Sequence, residues 1–191
     1  MFVAQSRWMP GFLSLMATLL WVAGCSSASI TPTKIERPSE TYTAVALGQL
    51  TATNDAWQAS LPYFRLGFAQ RLRELKGFDT IVDATTTPPP TGAIIVSGQV
   101  LEMSEGSRAA RLLIGFGAGS ARLRASFEIH DAAGKVLAQF EGNKSYAGDL
   151  GIGGVDAADM NALMSQFGAQ TAQAVLRWSR GQPLEEPGPA Q

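Results

Sequence analysis

Arg122-Leu-Arg-Ala-Ser-Phe-Glu-Ile-His-Asp-Ala-Ala-Gly-Lys-Val-Leu-Ala-Gln-Phe140 is the stretch whose reading decides the fold. Leu123, Ala125, Phe127 and Ile129 fall on one side of an extended chain, and Arg122, Arg124, Ser126, Glu128 and His130 fall on the other. That period of two is the mark of a strand with one buried and one wet face. Asp131-Ala-Ala-Gly134 follows as a turn, with Asp opening a type I turn and Gly taking the left-handed position. Val136, Ala138 and Phe140 then resume the alternation. The unit is a β-hairpin, and a hairpin with one apolar face needs another layer to cover it.

Upstream, Ala93 to Met103 reads as a strand with Ile94, Val96, Gly98 and Val100 on one face and Ser97 and Gln99 on the other. Before it, Thr85-Thr-Thr-Pro-Pro-Pro-Thr-Gly92 is a stiff loop, because proline cannot donate to a ladder. Asp79 to Asp83 is a short strand. Leu61, Phe64, Phe68, Leu72 and Leu75 recur at helical spacing, with Arg65, Arg71, Arg73 and Glu74 on the wet side. Asp55 or Ser60 is expected to cap this helix, and Gly77 to end it with positive φ. Tyr42 to Gly48 reads as the first strand.

Downstream, Gly148-Asp-Leu-Gly-Ile-Gly-Gly154 is a glycine-rich loop. After it Met160, Leu163, Met164, Phe167, Thr171, Ala174, Val175 and Trp178 form the apolar face of a second helix. Asp156 and Asp159 suit its N-terminus, Arg177 and Arg180 its C-terminus, and Gly181 and Pro183 stop it. The order βαββββα predicts an α+β, two-layer domain: a largely antiparallel sheet of about four to five strands packed by two amphipathic helices. One domain is expected over residues 40–181, with 182–191 a disordered tail.

The N-terminal end carries a different kind of information. Gly11–Gly24 holds no charge, and only Ser14 and Thr18 in it are polar, with Arg7 ahead of it. Its roughly 21 Å helical length is short of the ~30 Å hydrocarbon core, as in a secretory signal. Val22-Ala-Gly-Cys25-Ser26 resembles the lipobox of bacterial lipoproteins, which implies a signal peptide over residues 1–24 and lipidation of Cys25. Ser26 in place of Asp resembles the default for export, which implies anchorage at the periplasmic face of the outer membrane. Residues 25–39, small, polar and interrupted by proline, read as a flexible tether.

Composition narrows the function classes. The chain has 15 Lys+Arg against 16 Asp+Glu, and loss of Arg7 leaves 14 against 16, too little basic charge for a nucleic-acid binder. Cys25 is the single cysteine, so neither an internal disulfide nor a thiolate metal cluster is expected. His130 is the single histidine and lies on the polar phase of its strand. Ser107 and Ser120 lack the context of a serine nucleophile, and Asp149, Asp156 and Asp159 do not have calcium-loop spacing. No catalytic residue, metal ligand or cofactor site follows.

The segment between the third strand and the hairpin is the most unusual. Arg108, Arg111, Arg122 and Arg124 surround Gly115, Gly117 and Gly119, with no acid between Arg108 and Arg124. Guanidinium forks beside freed backbone N–H groups suit an anion such as a phosphate or a peptidoglycan carboxylate. Equally, glycine here serves a kinked crossing between two strands with arginine on the wet face. No helix opens from the glycines, so a dinucleotide or P-loop reading fails.

Val96-Ser-Gly-Gln-Val, then Arg108 and Arg111, Gly115-Phe-Gly-Ala-Gly-Ser-Ala, and Phe127-Glu-Ile-His-Asp131 with Gly134 and Val136-Leu-Ala resemble the bacterial lipoprotein domain of unknown function DUF 4410. The resemblance spans about residues 42–180 and implies a periplasmic lipoprotein without established catalytic residues. The expectation is a non-enzymatic scaffold or accessory factor, held at the membrane by its lipid and binding an envelope protein or peptidoglycan. The alternative is an oligomeric pore or secretion component in which residues 94–130 pair between subunits and Leu112-Leu-Ile-Gly-Phe116 meets the bilayer.

Overall fold

A computed structural model describes residues 26–38, 40–106, 120–146 and 160–184. The elements are β1 (Ser26–Ile35), β2 (Ala44–Ala52), α1 (Leu61–Leu75), β3 (Thr80–Asp83), β4 (Ala93–Ser104), β5 (Ala121–His130), β6 (Val136–Tyr146) and α2 (Met160–Ser179). The described residues make an α+β structure, a six-stranded sheet in the order β1-β6-β5-β4-β2-β3 with two α-helices. The β5–β6 hairpin forms as its alternation requires, every second residue of β5 being buried from Ala121 to Ile129. Asp131 closes it by accepting from the backbone N–H groups of Ala133 and Lys135, both at 2.9 Å, and Gly134 takes φ 83°.

The sheet is mixed, not largely antiparallel. β2 runs parallel to both β3 and β4, while β4, β5, β6 and β1 pair antiparallel. The reason is connectivity: α1 carries the chain from the end of β2 back to the start of β3, which forces a parallel neighbour. β2 also runs further than Gly48, through a register shift between Leu47 and Leu50, so this glycine lies inside the strand.

The sixth strand comes from the presumed tether. Ser26–Ile35 pairs along β6 from Tyr146 to Ala138, and one shift between Pro32 and Lys34 bends its far end. Its side chains bury little, so the backbone ladder and not apolar content orders it; composition alone misses this. The Trp178 indole N–H donates to the Glu36 carbonyl at 3.0 Å and stacks on Tyr42, fastening the chain that leaves β1 to the end of α2.

Both helices lie on one face. Phe127 of β5 stacks on Phe64 of α1 at 5.4 Å and meets Phe167 of α2 at 5.8 Å, with Phe140 of β6 beside it. Every residue of the apolar face expected for α2 is buried. Ser60 stands at the N-cap of α1, one of the two positions expected, but its side chain makes no capping bond, and the C-terminal stop differs from expectation. Asn54 accepts from the Ala56 N–H to open a 3₁₀ segment, Asp55–Ser60, and the Ser60 hydroxyl bonds to Asn161 of α2. Lys76, not Gly77, is the left-handed residue (φ 49°). Gly77 instead admits Leu176, whose Cδ1 would be 2.3 Å from an added methyl. The supposed tail begins ordered, Leu184 being buried in the core.

Candidate functional site

The same alternation that drives Leu123, Ala125, Phe127 and Ile129 into the core presents the other phase of β5 on the far face of the sheet. No described element packs there. Across it run hydroxyls, amides and carboxylates: Gln49 and Thr51 from β2, Ser97 and Gln99 from β4, Ser126 and Glu128 from β5, Gln139 and Glu141 from β6. Thr33 of β1 closes the shallow depression at one side.

Charge divides this face lengthwise. At one end Arg122 and Arg124 are exposed next to Asn143 and Ser145 of β6 and Ser29 of β1. Arg124 Nε lies 3.7 Å from Glu102, with both side chains 46% exposed, a pair that an incoming anion can displace at a cost of about 0–1 kcal/mol. Arg122 has no carboxylate in ion-pair contact among the described residues. Toward the other end Glu128 accepts from the Gln139 amide and lies 3.5 Å from His130 Nε2. His130 thus sits on the polar face beside an acid. Arginine forks at one end and carboxylates at the other make a surface suited to recognising a charged partner by hydrogen bonding.

Of the residues singled out in the sequence, Arg122 and Arg124 are therefore brought together on an open face. Arg108, Arg111, Gly115, Gly117 and Gly119 lie outside the described residues, as do Cys25, the 1–24 segment, Asp149, Asp156 and Asp159. Among the described residues no group of three or more His, Cys, Asp or Glu side chains is placed to hold a metal. No described helix is long and apolar enough to cross a membrane.

Two charged groups lie where the sequence pattern did not put them. Lys144 is only 3% exposed and lies on the helix side of β6, opposite Leu123, where burial pushes its ammonium below the ordinary 10.5. Continuing the inward phase Ala138, Phe140, Gly142 would have found it. Arg65, expected on the wet side of α1, instead bonds to both Asp83 and the Gly48 carbonyl at 3.0 Å, tying helix to sheet. Nothing in its helical phase announces that contact.

Residues 67–148 match the family model of the Domain of unknown function (DUF4410). The match takes in most of α1 and all of β3 to β6, a narrower span than the 42–180 expected. No curated protein matches the chain. Among solved structures the chain is similar to PelC from Paraburkholderia phytofirmans, a dodecamer. One structure of a PelC variant aligns at 13% identity and a TM-score of 0.50, covering 82% of this chain and 98% of that one. A second PelC dodecamer aligns at 14% identity and 0.49, covering 83% and 99%. At such identity the likeness is one of fold.

Proposed function

We propose that this chain, whose residues 67–148 are of the DUF4410 type, is a lipid-anchored envelope scaffold. Acyl chains on Cys25 hold it at the periplasmic face of the outer membrane, and the open face of the sheet docks an acidic partner without chemistry of its own. The partner is an envelope protein or the carboxylates of peptidoglycan. The observation that supports this reading is the one-sided packing of the sheet. Both helices cover one face, and the other presents Arg122 and Arg124 beside amides and hydroxyls with no described element on it. Capture from solubilised envelopes with the wild type and with an Arg122→Ala/Arg124→Ala variant tests it: the variant loses its partner, and an unchanged captured set rejects the reading. Incorporation of labelled palmitate, abolished by Cys25→Ser, tests the anchor.

A second reading, assembly with copies of itself, draws on the dodecameric state of PelC, whose fold the chain shares. It needs a different contact from pairing of residues 94–130 between subunits. β4 and β5 already pair with each other and each has a second neighbour, so the sheet's free edges belong to β1 and β3. Light scattering of the delipidated protein separates the two, a stable ring favouring assembly and a monomer the adaptor.

A further inference from the structure

One end of the sheet is closed by a continuous row of paired residues. Ser26 pairs with Tyr146, Tyr146 with Ala121, and next to Ala121 the pair Arg122 and Ser104 completes the row. Cys25 immediately precedes Ser26, so its Cα is ~3.8 Å from this row by the geometry of the peptide unit alone. No spare chain separates the cysteine from the sheet. Ser104, Glu105, Gly106 and Arg122 are exposed at this end. The 11 residues of β6 separate it from the Asp131–Gly134 turn, a distance of roughly 35 Å at ~3.4 Å per residue.

We propose that this end of the sheet, marked by Ser26, Ala121 and Ser104, is the surface the domain lays against the bilayer, with the strands standing away from the membrane and the Asp131–Gly134 turn farthest from it. The inference rests on the acylation of Cys25 proposed above. A thioether-linked lipid puts its sulfur at the headgroup level. With β1 starting at the next residue, the row can lie no more than a few ångströms above it. The lipid then acts as a clamp with a fixed direction, because Ser26 is locked by its ladder to β6. The chain between Ser104 and Ala121 leaves and rejoins the sheet at this same end.

The test uses the full lipidated protein in liposomes of phosphatidylethanolamine and phosphatidylglycerol containing brominated lipid. Acylation consumes the single native thiol, so Ser104→Cys and Ala133→Cys each give one site for a small fluorophore. Both positions are exposed, and circular dichroism verifies that each variant is folded. The label at position 104 should be quenched several-fold more than the label at 133. Equal quenching at both, none at either, or stronger quenching at 133 overturns the orientation. Palmitate uptake measured on the same samples tells the two failures apart. Uptake without the difference in quenching rejects the orientation alone, whereas no uptake rejects the anchor and the orientation with it.

Discussion

Lys144 and Asp83 show opposite electrostatic costs at single positions. Burial lowers the Lys144 pKa below 10.5, so between the folded value and 10.5 the unfolded chain holds a proton that the native state has released. Stability therefore rises with pH through that window. Lys144→Met should remove this alkaline rise and leave the neutral-pH variant at least as stable as the wild type, since a buried charge is exchanged for an apolar chain of similar length. Urea midpoints from pH 7 to 10 check it; a parallel rise in both proteins rejects it. At Asp83, burial pulls the carboxyl up. The Thr85 hydroxyl at 2.6 Å, the Thr85 N–H and the Arg65 guanidinium outweigh it and hold the acid below 3.8. A depressed acid stabilises the fold above its unfolded pKa, and the contribution fades as pH falls through the folded value. Asp83→Asn should thus cost about 1 kcal/mol at pH 7, a modest figure because the carboxylate is partly exposed, and less at pH 2. Equal losses at both pH values in thermal melts would contradict this.

At the scale of elements, the crossing of α1 and α2 depends on two glycines. A methyl at Gly67 would stand 1.9 Å from the Ser165 carbonyl oxygen, and one at Gly168 would stand 2.2 Å from the Phe64 carbonyl oxygen. The helices therefore touch backbone to backbone, and this close approach brings both Phe64 and Phe167 onto Phe127. Backbone cannot rotate away as a side chain does, so Gly67→Ala or Gly168→Ala should each cost about 3 kcal/mol. The double variant should cost less than the sum, because one separation of the helices relieves both clashes. Denaturant titration of the two single variants and the pair measures this; a loss under about 0.5 kcal/mol in either single variant would reject the crossing. Periodicity finds which face of each helix is apolar, whereas these glycines sit among apolar neighbours and carry no mark of which helix they meet.

For the whole molecule, β1 is the strand that closes the sheet over β6. Were residues 26–35 a tether, their deletion would leave the domain unchanged. In the folded molecule they cover the ladder of Val136–Tyr146, and their removal turns an interior strand into a long, unprotected edge. The chain lacking residues 26–35 should therefore associate or aggregate where the intact domain does not. Light scattering of the two at matched concentration gives the answer, and an unaltered particle size would reject the role given to β1. Pro32, Lys34 and the register shift between them protect the outer side of β1 from the same fate.

The amino-acid order by itself determined every element whose side chains alternate between water and core: the β5–β6 hairpin, β4, the apolar face of α2, the stripe of α1, and the placement of Arg122, Arg124 and His130 on the polar face. It also carried the resemblance to the DUF4410 domain, which the family match bears out over residues 67–148. Those features are local, since burial of one phase is written in the spacing of the residues themselves. The tertiary structure alone decided that Ser26–Ile35 is a strand, that β2 runs parallel to its neighbours, that Lys76 and not Gly77 turns left-handed, and that Arg65 reaches Asp83. Each of these depends on a partner distant in sequence, a free backbone ladder, a crossover helix or a neighbouring side chain. Hydrogen bonds between peptide groups are blind to residue type, so no spacing of side chains announces them.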